Sequence, residues 1–406
     1  VRLAGGTFVC GTLYLKSNVA LEITNSATLL ASPDIADYGT DTHHNRYRNE
    51  PELDRCFLFA QDAENVTICG SGVIDGNAAA FPNAGSIYRP MLLRVLRCRN
   101  VRVQNLRLLN AAAWATAFLD SDFIWATDLH IENHRNYNGD GLDFDGCRHV
   151  WVRGCYIDGT DDNLCLQSSG LPVQDVHISD CAFTSVCAGI RIGLKSIGEI
   201  SGVVISNCTM RNVWREGIKL ECTEGGSITD ILVENVTMHN VRRPIFAILN
   251  NRYRPDDLGS SVELDHIPPI GTMARLRFVG ITAVDDEEMA HTQRRFGNDI
   301  MGEPKFCRFD ANAAHPIEDV TIRDFWYTAI GGVRLADLPA APYPEVPDRL
   351  QAPTAPGSEN YYPNWSRTTH LDARYVRGLT LENLHFITLH SDERPKMLTE
   401  GPTVML

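Results

Sequence analysis

The sequence predicts an all-β parallel solenoid. Three observations predict it: a recurring five-residue strand pattern, a coil-sized step between repeats, and a column of similar residues after each repeat. The segments VTICG (66–70), VRVQN (101–105), LHIEN (129–133), VWVRG (150–154) and VHISD (176–180) read apolar, variable, apolar, variable, then Asn, Asp or Gly. So do VVISN (203–207), ILVEN (231–235), LRFVG (276–280), VTIRD (320–324) and LTLEN (379–383). Two-residue alternation is the signature of a short strand. The closing residue types tolerate positive φ, which suits a sharp bend. From Val150 to Val176, Val203 and Ile231 the steps are 26, 27 and 28 residues. That is too short for a strand–helix–strand unit with loops and matches one solenoid coil.

The residue after the bend is Leu106, Cys155, Cys181, Cys208, Val236, Ile281, Phe325 and Leu384 in turn. Such a column marks inward side chains stacked at about 4.8 Å per coil. Cys155, Cys181 and Cys208 therefore read as small core hydrophobes rather than ligands or disulfides. A β-sandwich or propeller fits this register less well. A second strand follows in several coils, in GLDF (141–144), NLCL (163–166), GIRI (189–192) and GIKL (217–220). With Leu142, Leu164, Ile190 and Ile218 inward, their neighbours face out. The outward set is then Asp143, Asn163, Arg191, Lys219 and Glu221, with Asp140, Asp161 and Asp162 at the strand entrances.

The chain has 406 residues, 44% of them hydrophobic, enough for a large core. Breaks in the rhythm near 251–275, 284–318 and 338–368 read as loops decorating one domain over 1–406, able to wall a groove. No stretch approaches the about 18 apolar residues of a membrane span, and no signal peptide is visible. The opening VRLAGGTFVC reads as mid-strand, which implies that an upstream segment has been removed. A net charge of −14 argues against nucleic acid as a partner. Twelve cysteines without a CxxC pair make neither a small disulfide scaffold nor a zinc ribbon. Unpaired core cysteines suit a reducing cytosol, whereas a trimmed leader would mean export, so the compartment stays open, as does the oligomeric state.

The stretch NYNGDGLDFDGCRHVWVRGCYIDGTDD (136–162) gathers Asp140, Asp143, Asp145, Asp158, Asp161 and Asp162 without one lysine. Asp143 and Asp145 read as supporting polar residues, and Asp158, in YIDGT, as a turn residue. The stacked coils would bring Asp140, Asp161 and Asp162 around a sugar-sized, water-accessible hollow.

With those residues in view, the chain resembles glycoside hydrolase family 28, the polygalacturonase-like enzymes. The opening residues 5–38, GSGVIDGN (70–77), YRPMLLRVLRCRNVRVQNLRLLNAAAW (88–114) and DERPK (392–396) also look like family segments. The resemblance implies a single-stranded right-handed parallel β-helix of the pectin-lyase-like kind. The family signature runs Asn-Thr-Asp-Gly, Asp-Asp, Gly-His-Gly, Arg-Ile-Lys. Asn138, Asp140 and Gly141 match the first element, with Gly139 in place of the threonine. Asp161 and Asp162 match the second. Cys187-Ala188-Gly189 stands third, so Ala188 replaces the histidine. In the fourth, Lys219 and Glu221 take the places of the arginine and lysine, which in the family face the substrate's carboxylates. A carboxylate at Glu221 would repel a uronate by about 1 kcal/mol at 4 Å in water. The expected substrate is thus a pectin-related or other plant-type glycan, not plain polygalacturonan.

The resemblance implies Asp161 as general acid, with Asp140 and Asp162 acting on the attacking water, and inversion if acid and base stand about 6.5–9.5 Å apart. Asn138, Lys219, Glu221 and Arg191 are the candidate substrate-binding residues, with Lys195 a further source of positive charge. No metal and no cofactor is expected. The partner is an oligo- or polysaccharide. Trp114 reads as either a sugar platform or core. His43 and His44 read as loop surface. Asn65, Asn207, Asn235 and Asn364 begin sequons, though a bend ladder explains Asn207 and Asn235 without a glycan. A polysaccharide lyase and a non-catalytic carbohydrate-binding or tail-fibre β-helix are the rival readings.

Overall fold

The computed structural model describes residues 1–42, 55–83, 89–252, 264, 266–286, 306–340 and 366–401. Strands of these segments join one hydrogen-bonded system in which each coil pairs in parallel with the next. The chain winds as a right-handed parallel β-helix. Three-residue 3-10 turns are the only helical elements among the described residues, so none is long enough to cross a membrane.

Apolar alternation sets the core. Val66, Val101, Ile124, Val150, Val176, Val203, Ile231, Leu276, Val320 and Leu379 are partners in successive coils, and all are completely buried. One repeat was out of register. Ile124, in strand Asp122–Thr127, holds the column place expected of LHIEN. LHIEN itself supplies the next strand, His130–Asn133. Both segments alternate, and Trp125 and Thr127 in the variable places hid the true repeat.

The bends carry the expected positive φ: Asn105 57°, Asp128 54°, Asp180 58°, Asn207 55°, Asn235 53°, Asp324 54° and Asn383 53°. The Asn235 amide donates to Asn207 Oδ1 at 3.4 Å, and Asn100 to Asn65 at 2.6 Å, so these asparagines form ladders along the helix axis. Immediately after each bend lies a strand that pattern alone did not separate, such as Tyr156–Gly159 and Ala182–Ser185. The coil therefore has three faces rather than two. Cys155, Cys181 and Cys208 stack in the core at the start of this face, with free thiols.

Strands Leu142–Asp145, Leu164–Ser168 and Ile190–Ser196 and the end of Thr209–Cys222 form the third face. Leu142, Leu164, Ile190 and Ile218 are register partners, each fully buried in the core. The outward column is Asp143, Cys165, Arg191 and Lys219. Asn163 is not in it. Its side chain is fully buried and its amide donates to Ile157 O at 3.0 Å and Thr184 O at 2.6 Å, closing a corner. Within the expected loops, Cys307–Asp310 is a strand paired with Phe246–Ile248, and Thr272–Val284 begins inside 251–275. Residues 253–263, 265, 287–305 and 341–365 of those loops, Asn364 among them, lie outside the described residues, as do His43 and His44.

Candidate active site

Backbone register builds the site. Gly141 N–H donates to Asp162 O at 3.1 Å, Asn163 N–H to Ala188 O at 3.0 Å, and Gly189 N–H to Glu216 O at 2.9 Å. The entrances of four successive strands are thereby stacked, and Asp140, Asp162, Ala188 and Glu216 follow one another up the axis. Asp161 and Cys187 form the adjacent column, with Arg215 above them. Carboxylate oxygens of Asp161 and Asp162 and the Cys187 sulfur all lie within 4.8 Å of one another. Asp161 is half-buried; Asp140 and Asp162 are only 5% and 2% exposed.

The loop before Asp140 is pinned from below. Arg89, fully buried, donates to Asn138 Oδ1 at 2.7 Å and to Tyr137 O at 2.5 Å. Asn138 adopts φ 54°. The Thr160 hydroxyl donates to Asn136 O at 2.5 Å and accepts from Gly139 N–H at 3.0 Å. Close approach explains the glycine at 139: a Cβ there would stand 2.3 Å from Thr160 Oγ1 and 2.4 Å from Asn133 O.

The charges alternate. Arg191 donates from NH1 to Asp162 Oδ2 at 2.9 Å and pairs through NH2 with Glu221 Oε2 at 2.6 Å. Lys219 Nζ stands 3.5 Å from both Glu221 and Glu216, and Arg243 pairs with Glu216 at 2.8 Å. Lys219 and Glu221, expected to face outward, are fully buried. Cross-coil pairing folds each onto a neighbour of opposite sign, so the charge of Glu221 is compensated within the protein. Arg191 keeps 14% of its side-chain surface.

Two adjacent carboxylates in this setting part company. Burial, then the charge of Asp162, pushes the Asp161 carboxyl above the usual range, to about 6, against the pull of Arg215 and Arg191 and a hydrogen bond from Cys187. Burial also works against ionised Asp162, but Arg191, Lys219 and a hydrogen bond from Arg191 prevail and hold it below the ordinary value. One carboxylic acid beside one carboxylate is the arrangement that acid–base chemistry requires. The Arg191 guanidinium on Asp162 Oδ2 opposes a divalent cation there.

Other sequence candidates sort cleanly. Asp145 is buried and accepts from the Ser169 backbone and hydroxyl at 2.8 and 2.6 Å, a supporting role. Asp143 is 2% exposed and shares the neighbourhood of Cys165 with Asp140 and Asp162. Asp158, expected in a turn, lies within strand Tyr156–Gly159 and pairs with His134 at 3.3 Å. Trp114 packs with Cys56, Met91, Leu96 and Leu119 as core. Lys195 is 4% exposed. Sequence reasoning missed Arg89, Glu216, Arg243 and Arg215. Counting one 28-residue coil on from Cys187 lands on Arg215, so coil arithmetic held that signal.

Fold and site together define a parallel β-helix with a carboxylate cluster held on one sheet face between guanidinium groups. The chain belongs to glycosyl hydrolases family 28, whose model matches residues 12–263. It is 27% identical over 225 residues to a probable polygalacturonase of Vitis vinifera, covering 49% of this chain and 44% of that one. It is 22% identical to the exo-poly-alpha-D-galacturonosidase of Dickeya chrysanthemi, covering 40% and 36%. The chain thus spans less than half the length of these curated relatives. Among solved structures, the exopolygalacturonase of Thermotoga maritima superposes with a TM-score of 0.64 at 18% identity, covering 95% of this chain and 83% of that one. The family 28 exopolygalacturonase of Yersinia enterocolitica gives 0.66 at 15%, covering 99% and 72%.

Proposed function

We propose that this chain is a glycosidase that hydrolyses a glycosidic bond in a pectin-related or other plant-type poly- or oligosaccharide with inversion of configuration. The observation that carries the reading is the split pair: half-buried Asp161, with raised proton affinity, beside Asp162, held ionised by Arg191. Asp161 protonates the leaving glycosidic oxygen. Asp162 and Asp140 bind and deprotonate the water that attacks the anomeric carbon. The Asp161 and Asp162 oxygens stand within 4.8 Å of one another, closer than the about 6.5–9.5 Å usual for an inverting pair, so inversion rests on the family resemblance and the product anomer tests it. Asn138, fixed by Arg89, orients a substrate hydroxyl or the neighbouring carboxylates. Arg191 is the substrate-facing cation of the cluster.

Plain polygalacturonan is not the proposed substrate, and the ground for this shifts from repulsion to placement. The residues at the family's two cationic places, Lys219 and Glu221, are buried against each other and so offer no uncompensated charge to a uronate.

The test is a screen of pectic and hemicellulosic oligosaccharides by reducing-end release, repeated with Asp161→Asn. Loss of at least about 100-fold in kcat with ligand affinity kept is expected for a general acid. Proton NMR of the fresh product should show the anomer opposite to the substrate linkage. An unsaturated, ultraviolet-absorbing product would instead establish a lyase, and binding without any turnover a carbohydrate-binding β-helix.

A further inference from the structure

Ala188 leaves the acid pair without the imidazole that the family pattern places there, yet the space beside Asp161 is not apolar. We infer that Arg215, supplied by the next coil, acts with the Cys187 thiol as the positioning group for Asp161. This inference rests on Asp161 being the general acid.

The placement follows from the ladder. Arg215 N–H donates to Cys187 O at 3.2 Å, so the two residues stack directly. The Arg215 guanidinium donates from NH1 to Cys187 Sγ at 3.5 Å, and that sulfur lies within 4.8 Å of the carboxylate oxygens of Asp161 and Asp162. The thiol stands between cation and acids: it accepts from the guanidinium and turns its own proton toward the carboxylates. Cys187 is locked in turn, because its N–H donates to Ser185 Oγ at 2.8 Å and the Ser185 hydroxyl donates to Asp161 O. Every part of the relay is therefore tied to the backbone that carries Asp161.

The groups that face Asp161 come from three coils. Asp162 is its chain neighbour, Cys187 lies one coil on, Arg191 reaches in from strand Ile190–Ser196, and Arg215 descends from strand Thr209–Cys222. Arg191 is already engaged with Asp162 and Glu221. Both guanidinium groups oppose the lift from burial and from Asp162, and Arg215 is the one that reaches Asp161 through the thiol.

The experiment compares Arg215→Gln, Arg215→Lys and Cys187→Ala with the parent. Asp161 is titrated by carboxyl carbon NMR of aspartate-labelled protein, its resonance assigned with Asp161→Asn. The pH profile of kcat/KM is recorded on an oligosaccharide that the parent cleaves. In R215Q the Asp161 midpoint and the alkaline limb should both rise by about one unit. R215K should restore most of that shift, and C187A should move both in the same direction by less. A midpoint unmoved in both R215Q and C187A, with melting curves showing folded protein, overturns the inference. A moved midpoint in a protein whose D161N variant keeps full turnover supports the tuning by Arg215 and sinks the hydrolase assignment instead.

Discussion

The Arg191 guanidinium lies 2.9 Å from Asp162 Oδ2, and its other edge is held by Glu221 at 2.6 Å. One planar cation thus ties an entrance acid to a carboxylate two coils further along the axis. The fork geometry is what allows it, since an ammonium cannot present two donor edges at fixed angles.

Removing that cation should hurt twice. In Arg191→Met, buried Glu221 loses its guanidinium partner at 2.6 Å, and Asp162 loses the partner that holds it ionised. Breaking a buried pair from one side costs about 3–5 kcal/mol, read as a lowered midpoint in urea. The double variant Arg191→Met, Glu221→Gln removes the stranded anion too and should recover at least about 1 kcal/mol of that loss. Turnover should remain low in both, because Asp162 is still unpaired from its guanidinium. Equal destabilisation in single and double variants would show that Glu221 is not held by Arg191.

Asp161 gives a signed pH prediction. Its folded carboxyl titrates near 6, above the ordinary aspartate value, so it favours the fold while protonated. That contribution is complete below the unfolded value and is lost as pH rises through about 6. Asp162 has the opposite sign: its contribution is present above the unfolded value and lost as pH falls through its lowered one. At pH 7.5, therefore, Asp161→Asn should melt higher than the parent by about 2–4 °C, and the gap should close near pH 4. kcat/KM of the parent should fall on the alkaline side with an apparent value near 6, since the acid must carry its proton. A D161N melting gain independent of pH would refute the assignment.

Much of this was legible in the sequence. The Val150, Val176, Val203 and Ile231 spacing predicted the coil, and Asn207, Asn235 and Asn383 marked its bends. The Leu142, Leu164, Ile190 and Ile218 column placed Asp140 and Asp162 in consecutive coils. Alternation cannot tell which of two adjacent alternating segments is in register, so LHIEN was misplaced. A four-residue strand such as Tyr156–Gly159 gives too short a pattern to separate from its bend. The site was harder, because outward from the core is not the same as exposed. Lys219 and Glu221 point away from the barrel interior and are sealed by each other and by Arg191, Glu216 and Arg243. Such pairing is a property of the stack, which no single coil encodes.

Gly139 tests whether the chain's departure from the family threonine belongs to the same stack. Gly139 N–H donates to Thr160 Oγ1, and Thr160 holds Asn136 O, so the loop entering Asp140 is drawn against the coil of Asp161. A Cβ at 139 meets a backbone carbonyl, Asn133 O, at 2.4 Å, and a carbonyl in a strand cannot swing aside as a flexible side chain can. Restoring the family residue by Gly139→Thr should therefore cost about 1–3 kcal/mol and push Asp140 out of line with Asp162, lowering kcat more than it raises KM. Gly139→Ala should show most of the same loss, because the clash begins at Cβ. The companion Thr160→Ser keeps the hydroxyl that Gly139 N–H and Asn136 O require, and should leave stability within about 1 kcal/mol of the parent. A Gly139→Ala protein with unchanged melting and turnover would mean that the loop before Asp140 is free to move, and that its packing on Thr160 does not set the position of the acid.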